Sequence, residues 1–383
     1  MSRLAELIEE LCPDGVEYRA IGDAAELKRG QAVTRKEIVE GKVPVIAGGR
    51  EPAYYIDRSN RQGETIVIAG SGAYAGFVSF WNEPIFVSDA FSIVVDRGTL
   101  QPRFVYHWLN GRQEAIHALK SSGGVPHVYP KDVAKLRCPI PPLEVQREIV
   151  RILDQFTMLE AELEAELEAR RVQYEHYRNH LLSYDSLAAR GSVDVIELRD
   201  VGVVRMCKRI HKAETSVQGD IPFFKISTFG GTATSFISAG VYEKYKAKFP
   251  YPKQGDLLIS AAGTIGQIVR FDGADAYFQD SNIVWLEHDE SIVLNRYLYY
   301  VYLNTKWTTD GGTIKRLYNN RILQQQICVP SIETQIAIAD LLDRFDALVN
   351  DISSGLPAEI AARRAQYEHY RDRLLSFPEK KVE

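Results

Sequence analysis

One string of residues occurs twice in this chain, and that duplication constrains its fold more than any other feature. Arg170-Arg-Val-Gln-Tyr-Glu-His-Tyr-Arg-Asn-His-Leu-Leu-Ser-Tyr184 returns, with four changes, as Arg363-Arg-Ala-Gln-Tyr-Glu-His-Tyr-Arg-Asp-Arg-Leu-Leu-Ser-Phe377, shifted by 193 positions. Upstream, Pro141-Pro142-Leu143-Glu144-Val145-Gln146 faces Pro330-Ser331-Ile332-Glu333-Thr334-Gln335 at a shift of 189, and Ile152 to Phe156 faces Leu341 to Phe345 in the same register. The second copy therefore holds four extra residues, placed by its composition near Ser353-Ser354-Gly355-Leu356-Pro357. Fainter matches lie between the copies. Glu17, Arg19, Gly22, Lys28 and Arg29 fall opposite Glu197, Arg199, Gly202, Lys208 and Arg209 at a shift of 180. Gly63-Glu64 matches Gly255-Asp256, Asp89 matches Asp280, and Gly123-Gly124 matches Gly311-Gly312. A duplicated chain implies a duplicated architecture, here variable lobe, helix, variable lobe, helix.

The strongly repeated segments are helices. Residues 143 to about 184 lack Gly and Pro and are rich in Leu, Glu, Ala and Arg, which favour helix. Ile149, Ile152, Phe156, Leu159, Leu163, Leu167, Tyr174, Tyr177, Leu181 and Tyr184 step mostly by three and four, an apolar seam along one face. Ile338, Leu341, Phe345, Leu348, Ile352, Leu356, Ile360, Tyr367, Tyr370, Leu374 and Phe377 repeat it. Two such helices, each roughly 60 Å long, cover their stripes by packing together as a coiled coil, and antiparallel packing places one lobe at each end. Four extra residues amount to one stutter, and Gly355 with Pro357 predicts a kink or short break there. The helices carry seven more acids than bases, while the whole chain stands at −5. The remainder is thus slightly basic, and a polyanion is repelled by the rod but not by the lobes.

Composition narrows the class. A hydrophobic fraction of 45% with 25% charged residues suits a chain with real cores. No apolar run nears the roughly 18 residues of a membrane span, and acids stand at the N-terminus where a signal peptide would be apolar. Cys12, Cys138, Cys207 and Cys328 are far apart and form no C-x-x-C pair, so neither a disulfide framework nor a zinc knuckle is expected and a reducing cytoplasm fits.

Each lobe mixes strand runs with turn signals. Gly63 to Gly72 and Gly255 to Gly263 read as strands ending in tight turns, with Phe77–Trp81 and Gln267–Phe271 as their partners. Short helices are expected over Arg103–Leu109 and Arg296–Tyr302. The fold class is therefore α+β: two mixed lobes joined by two long helices packed as an antiparallel coiled coil, with an internal pseudo-twofold repeat. The expected boundaries are 1–142, 143–184, 185–331 and 332–383.

A lobe–helix–lobe–helix chain with Pro141-Pro142-Leu143-Glu144-x-Gln146 leading into the helix, the repeated Tyr-Glu-His-Tyr-Arg string, and Gly123-Gly124 and Gly311-Gly312 ahead of each helix resembles the specificity subunit of type I restriction–modification systems. The resemblance covers essentially the whole chain; Ser331-Ile332 departs from the Pro-Leu pattern. It implies that each lobe is a target recognition domain reading half of an interrupted site in double-stranded DNA. It also implies that the helices fix the separation of the halves and dock two adenine methyltransferase subunits, which a restriction subunit can join. Catalysis then belongs to the partners, and the chain itself needs no cofactor and no metal.

Candidate DNA contacts are cations and small residues at turns. Lys28-Arg29 and Lys208-Arg209 suit phosphate clamps and suit solvated surface equally. Arg35, Lys36, Arg50, Arg58 and Arg61 in lobe one, and Lys225, Lys244, Lys246 and Lys248 in lobe two, are further cations, most in turn-rich sequence. The turns holding Ser71 and Tyr74, and Thr264, let backbone approach a duplex, or are structural hairpins. His127, Lys315 and Arg316 follow the double glycines and suit base or backbone contact. In the repeated string the tyrosines are seam residues. Gln173, Glu175, His176 and Arg178, with Gln366, Glu368, His369 and Arg371, would form two equivalent partner docks.

Other motifs weaken on inspection. His176 and His180 have metal spacing, but the second copy has His369 and Arg373. Gly70 to Gly76 only loosely resembles a dinucleotide loop, no P-loop exists, and Asn82-Glu83-Pro84 is not the Asn/Asp-Pro-Pro-Tyr type that grips a flipped adenine. A coiled-coil adaptor whose lobes bind protein, and a self-sufficient DNA methyltransferase, are the rival readings. The missing cofactor motifs tell against the second, and salt dependence separates the first.

Overall fold

Runs of β-branched and aromatic residues between glycine turns make the strands, and the computed structural model places them, describing residues 3–34, 38–121, 124–310 and 315–381. Lobe one holds α1 (Arg3–Leu11), β1 (Glu17–Ala20), α2 (Ile21–Ala24), β2 (Ala25–Arg29), β3 (Val43–Ile46), β4 (Tyr54–Ile56) and β5 (Thr65–Ala69). It continues with β6 (Val78–Trp81), β7 (Phe86–Val87), β8 (Ala90–Val95), α3 (Pro102–Asn110), α4 (Gln113–Ala118), α5 (Pro130–Val133) and β9 (Arg137–Ile140). The long α6 (Leu143–Leu181) leads into α7 (Tyr184–Ala188), β10 (Val193–Glu197), α8 (Leu198–Val201), β11 (Gly202–Arg205), β12 (Ile221–Phe224), β13 (Phe236–Ile237) and α9 (Ala239–Lys248). Then come β14 (Leu257–Ser260), β15 (Ile268–Arg270), β16 (Tyr277–Phe278), β17 (Ile283–His288), α10 (Asn295–Asn304), α11 (Asn319–Leu323), β18 (Gln326–Pro330), α12 (Ile332–Asn350) and α13 (Leu356–Leu374). These elements form two compact units: Met1–Ala165 with Glu359–Glu383, and Glu166–Ala358. Each lobe is thus grouped with the helix segments against which it packs.

The strand plan is the same in both units. Unit one has an antiparallel sheet β2-β8-β5-β6, a sheet β4-β3-β7 in which β3 and β7 are parallel, and the pair β1-β9. Unit two has β11-β17-β14-β15, β13-β12-β16 with β12 and β16 parallel, and β10-β18. The repeat therefore extends through lobes whose sequences barely match.

Strand register corrects the alignment drawn from residue identities. Arg19 pairs with Cys138 and Ile196 with Ile327, and Ile21 N–H donates to Leu136 as Leu198 N–H donates to Gln325. Since 138 and 327 differ by 189, the first strands are offset by 177 rather than 180. Lys28, opposite Ser92, then corresponds to Arg205, opposite Trp285, and not to Lys208. At the next turn Ser88 N–H donates to Ile46 O as Gln279 N–H donates to Phe224 O, which keeps Asp89 opposite Asp280, whereas Gly70 N–H donates to Asp89 O as Ala261 N–H donates to Asn282 O; lobe two holds two more residues here, and on the strand side Asp89 answers to Asn282. Identity misleads here because hydrogen-bond register constrains the backbone while exposed side chains are free to drift.

Both lobes are tied to their helices by the same devices. Gln146 and Gln335 are fully buried. Gln146 Nε2 donates to Pro141 O at 2.7 Å and Thr99 O at 2.8 Å, and its Oε1 accepts from Gln101 N–H at 2.9 Å. Gln335 bonds Pro330 O, Ile292 O and Leu294 N–H, each at 2.9 Å. Two turns further along the helix, Arg103 Nε and His107 Nε2 meet Asp154 at 2.7 and 2.8 Å; in unit two Arg296 Nε, at 3.0 Å, and the Tyr300 hydroxyl meet Asp343.

The apolar seam is divided between two neighbours. Val145, Ile149 and Leu153 of α6 join the lobe-one core with Phe104, Trp108 and Leu109 of α3, each side chain contributing about 1.5–3 kcal/mol by leaving water. Ile338 and Leu342 of α12 are likewise fully buried. Helix-to-helix contact takes up a further part of it, and it is antiparallel in each unit. In unit one Phe156 stacks on Tyr370 at 5.4 Å and Glu160 and Glu164 pair with Arg364; in unit two Tyr177 stacks on Phe345 at 5.7 Å and Tyr174 donates to Asp346 at 3.2 Å. Several expected seam residues are exposed instead, among them Leu159, Leu341, Leu348 and Ile352. The helix breaks between α12 and α13, where Asp351 accepts from the Ser353 N–H and hydroxyl at 2.7 and 2.6 Å. Those bonds hold its carboxyl down to about 2. A Cβ on Gly355 would lie 2.4 Å from Ala347 O, so only glycine closes this turn.

Candidate nucleic-acid interface

In lobe one, three segments converge on an open cleft of about 400 Å³. The end of β2 brings Arg29 and Gly30, the turn before β8 brings Ser88 and Asp89, and the approach to α5 brings His127 and Tyr129. Gly30 N–H donates to Ala90 O at 2.8 Å, Gly70 N–H to Asp89 O at 3.1 Å and Val128 N–H to Gly70 O at 3.0 Å. A Cβ on Gly30 would sit 2.0 Å from Ser88 O. Within this frame Ser71 donates its hydroxyl to Asp89 Oδ2. His127 lies parallel to Tyr129, centroids 5.9 Å apart, with Nδ1 donating to Val125 O at 2.7 Å.

Lobe two builds the same frame with other side chains. Ala261 N–H donates to Asn282 O at 2.7 Å and Leu317 N–H to Ala261 O at 2.9 Å. His127 and Tyr129 thereby correspond to Arg316 and Tyr318. Arg316 Nη2 donates to Ser281 O at 2.9 Å and Asn282 Oδ1 at 3.3 Å, and its guanidinium lies 5.9 Å from the Tyr318 ring. Beside it lies a cleft of about 280 Å³ lined by Arg209, Lys212, Lys225, Asp280, Ser281 and Asn282 among others. Arg209 Nε donates to Asp280 at 2.8 Å.

The other expected contacts scatter. Lys28 pairs with Glu26 at 2.9 Å. Arg50 lies over exposed Tyr74 at 5.0 Å, and Arg58 over Phe86 at 5.8 Å. Arg61 is committed inside the lobe: it donates to Ser92 Oγ and Asn60 O at 2.7 Å, to Arg29 O at 3.0 Å and to Lys28 O at 3.3 Å. Its burial lowers its pKa. It is a packing residue rather than an open cation. Arg35 and Lys36 lie outside the described residues, as do Gly123, Gly311, Gly312 and Ile314. In lobe two Lys208 lies 5.3 Å from the Phe249 ring, and Lys225 donates to Ser235 at 2.8 Å. Lys244, Lys246 and Lys248 stand on α9, not in turns. Lys246 is held by the Tyr242 hydroxyl at 2.7 Å and by Asp275 at 3.5 Å, while Lys248 is exposed in the last turn. Thr264 accepts the Ser260 hydroxyl at its carbonyl, and Lys315 is exposed. Sequence reading passed over Asn282 as a site and took Asp89 only as a repeat marker, since the signal is strand register, not residue identity.

The repeated string on the helices is itself a repeated structure. Arg178 lies 5.2 Å over buried Tyr174, and Arg371 lies 5.5 Å over buried Tyr367. Arg170 donates to Gln173 at 2.8 Å and Arg363 to Gln366 at 3.1 Å. Gln173, Arg178, Gln366 and Arg371 are thus drawn into the helices. Glu175, His176, Glu368 and His369 are exposed, and each histidine edges against the tyrosine after it. Exposed Leu348 and Leu159 hold one position of the repeat, next to further exposed Leu341, Ile352 and Met158.

Comparison with known proteins places this geometry. The family described as Type I restriction modification DNA specificity domain matches residues 13–169 and again 191–362. A putative type I restriction enzyme specificity subunit of Haemophilus influenzae is 40% identical, over 94% of this chain and 96% of that protein. The type I restriction enzyme EcoR124I/EcoR124II specificity subunit of Escherichia coli is 31% identical over 72% of this chain and 71% of its own. Among solved structures, the S subunit of a type I restriction–modification system from M. genitalium superposes with a TM-score of 0.59 at 18% identity, covering 94% of this chain and 96% of that one.

Proposed function

Because this chain belongs to the type I restriction–modification DNA specificity family, we propose that it reads a bipartite, asymmetric DNA site and docks two adenine methyltransferase subunits, leaving catalysis to them. The target recognition domains are residues 1–142 and 185–331, and the helical segments 143–184 and 332–383 set their separation and carry the docks. A restriction subunit can join the same complex, and the cytoplasm, where the genome lies, is its compartment. The observation that carries this reading is one strand plan used twice with unlike side chains in the clefts. Two readers of that kind recognise two different short sequences. Cations such as Arg29, Arg50, Lys208, Lys248 and Lys315 contact phosphates, and groove contacts discriminate bases. Each methyltransferase then flips an adenine from the stack.

The docks lie on the helices, where equivalent exposed apolar and Glu-His surfaces recur once per repeat. The decisive experiment is to purify the chain with its methyltransferase partner and map modified adenines by long-read sequencing. An interrupted motif is expected, and replacing residues 1–142 with another such lobe changes one half only. A continuous motif, or none, contradicts the proposal.

A further inference from the structure

We infer that the two lobes discriminate bases through one shared pair of positions, occupied by Asp89 and His127 in lobe one and by Asn282 and Arg316 in lobe two. This rests on the DNA-reading function proposed above. The backbone hydrogen bonds that frame the four residues are the same in both lobes. Gly70 N–H reaches Asp89 O and Val128 N–H reaches Gly70 O, as Ala261 N–H reaches Asn282 O and Leu317 N–H reaches Ala261 O. The aromatic beside the second position is also kept, as exposed Tyr129 and Tyr318. The polar tips differ, and the turn ahead of Asn282 is two residues longer than the one ahead of Asp89. Residues kept for the fold, such as Gln146 and Gln335, retain both identity and partners across the repeat. Positions that keep their frame and change their hydrogen-bonding sense are those two readers of different bases require.

The chemistry of each pair selects its base. An ionised carboxylate only accepts. Asp89 Oδ2 takes the Ser71 hydroxyl, and among the described residues no donor is found at Oδ1. That oxygen suits the exocyclic amine that adenine or cytosine presents in the major groove. Arg316 is the opposite case. Its Nη2 is tied to Ser281 O and Asn282 Oδ1, which orients the guanidinium, and among the described residues Nε and Nη1 meet no partner. A fork held in this way suits O6 and N7 of guanine. Ser281 itself has φ 54, a left-handed conformation that is strained for a residue with a Cβ. It turns its carbonyl to Arg316 and so helps to hold the reader in place.

The test uses the complex with its methyltransferase partner, competition binding to an oligonucleotide panel that varies one base at a time, and modified-adenine mapping. Arg316→Gln is expected to lose preference for guanine at one position of one half-site, by roughly 5- to 150-fold, with the other half unchanged. Asp89→Asn is expected to alter a single adenine or cytosine position in the other half. Should Arg316→Gln fail to fold, Asn282→Asp, nearly isosteric, probes the same position. If these variants weaken binding equally to every sequence, the residues touch phosphate or serve the fold, and the inference falls while DNA reading stands. An unaltered complex with no bipartite preference overturns both.

Discussion

His107 and Tyr300 occupy the same place in their lobes, one turn after Arg103 and Arg296, and each bonds the matching aspartate of the repeat, Asp154 or Asp343. Asp154 only accepts, so His107 carries its proton on Nε2, and Nδ1 accepts the Tyr367 hydroxyl at 2.9 Å. Burial lowers the pKa of His107 from 6.5, and the hydrogen bond it donates to Asp154 does not fully offset it. For Asp154, burial raises the carboxyl, but the bonds from His107 and Arg103 outweigh it and the net shift is downward.

The unfolded histidine therefore binds protons more readily than the folded one. Stability from this contact is complete above about pH 6.5 and is lost as pH falls toward the lower folded value. Melting midpoints of the full chain should decline from about pH 7 to about pH 5, and His107→Tyr, copying the second lobe, should flatten that decline. An unchanged slope in the variant would remove His107 from this role.

Gln146→Ala and Gln335→Ala should each destabilise strongly. Each strips partners from two carbonyls and one N–H where the glutamine itself is fully buried, at about 1–3 kcal/mol for every group left unpaired. Denaturant titration measures this, and the two losses should add because they share no partner. A loss below about 1 kcal/mol in both would mean that water enters and replaces the amide.

Leu348→Glu and Leu159→Glu test the docks. Both side chains are already exposed, so the free chain should melt within about 0.5 kcal/mol of the parent. Co-purification with the methyltransferase subunit should drop, to one copy for a single variant and to none for the double variant. Full assembly of the double variant would place the docks elsewhere.

Phosphate contacts carry a salt signature. The logarithm of DNA affinity should fall linearly with the logarithm of salt concentration, and each of Arg29→Ala and Lys315→Ala should reduce the slope by about 0.9 if that residue meets one phosphate. Arg61→Ala should instead lower stability and leave the slope alone, because its donors are held within the lobe. A salt-independent affinity would favour an adaptor that binds protein.

The amino-acid sequence by itself determined the duplicated plan, the two helical segments and the break near Gly355. Such features are written in local propensity, in periodicity and in identities close along the chain. The strand pairs β5-β6 and β14-β15 and the helices α3 and α10 were readable for the same reason. Tertiary structure alone decided which residues face one another: that Arg61 is turned inward, that Lys244, Lys246 and Lys248 lie on a helix, that Val145, Ile149 and Leu153 pack on the lobe while Leu348 stays exposed, and that Asp89 answers to Asn282. Packing of helix faces decides the middle two, and the places of Arg61 and Asp89 depend on hydrogen-bond register between strands far apart in sequence. A shift of three residues there moves every side chain to a new partner while leaving composition and periodicity untouched.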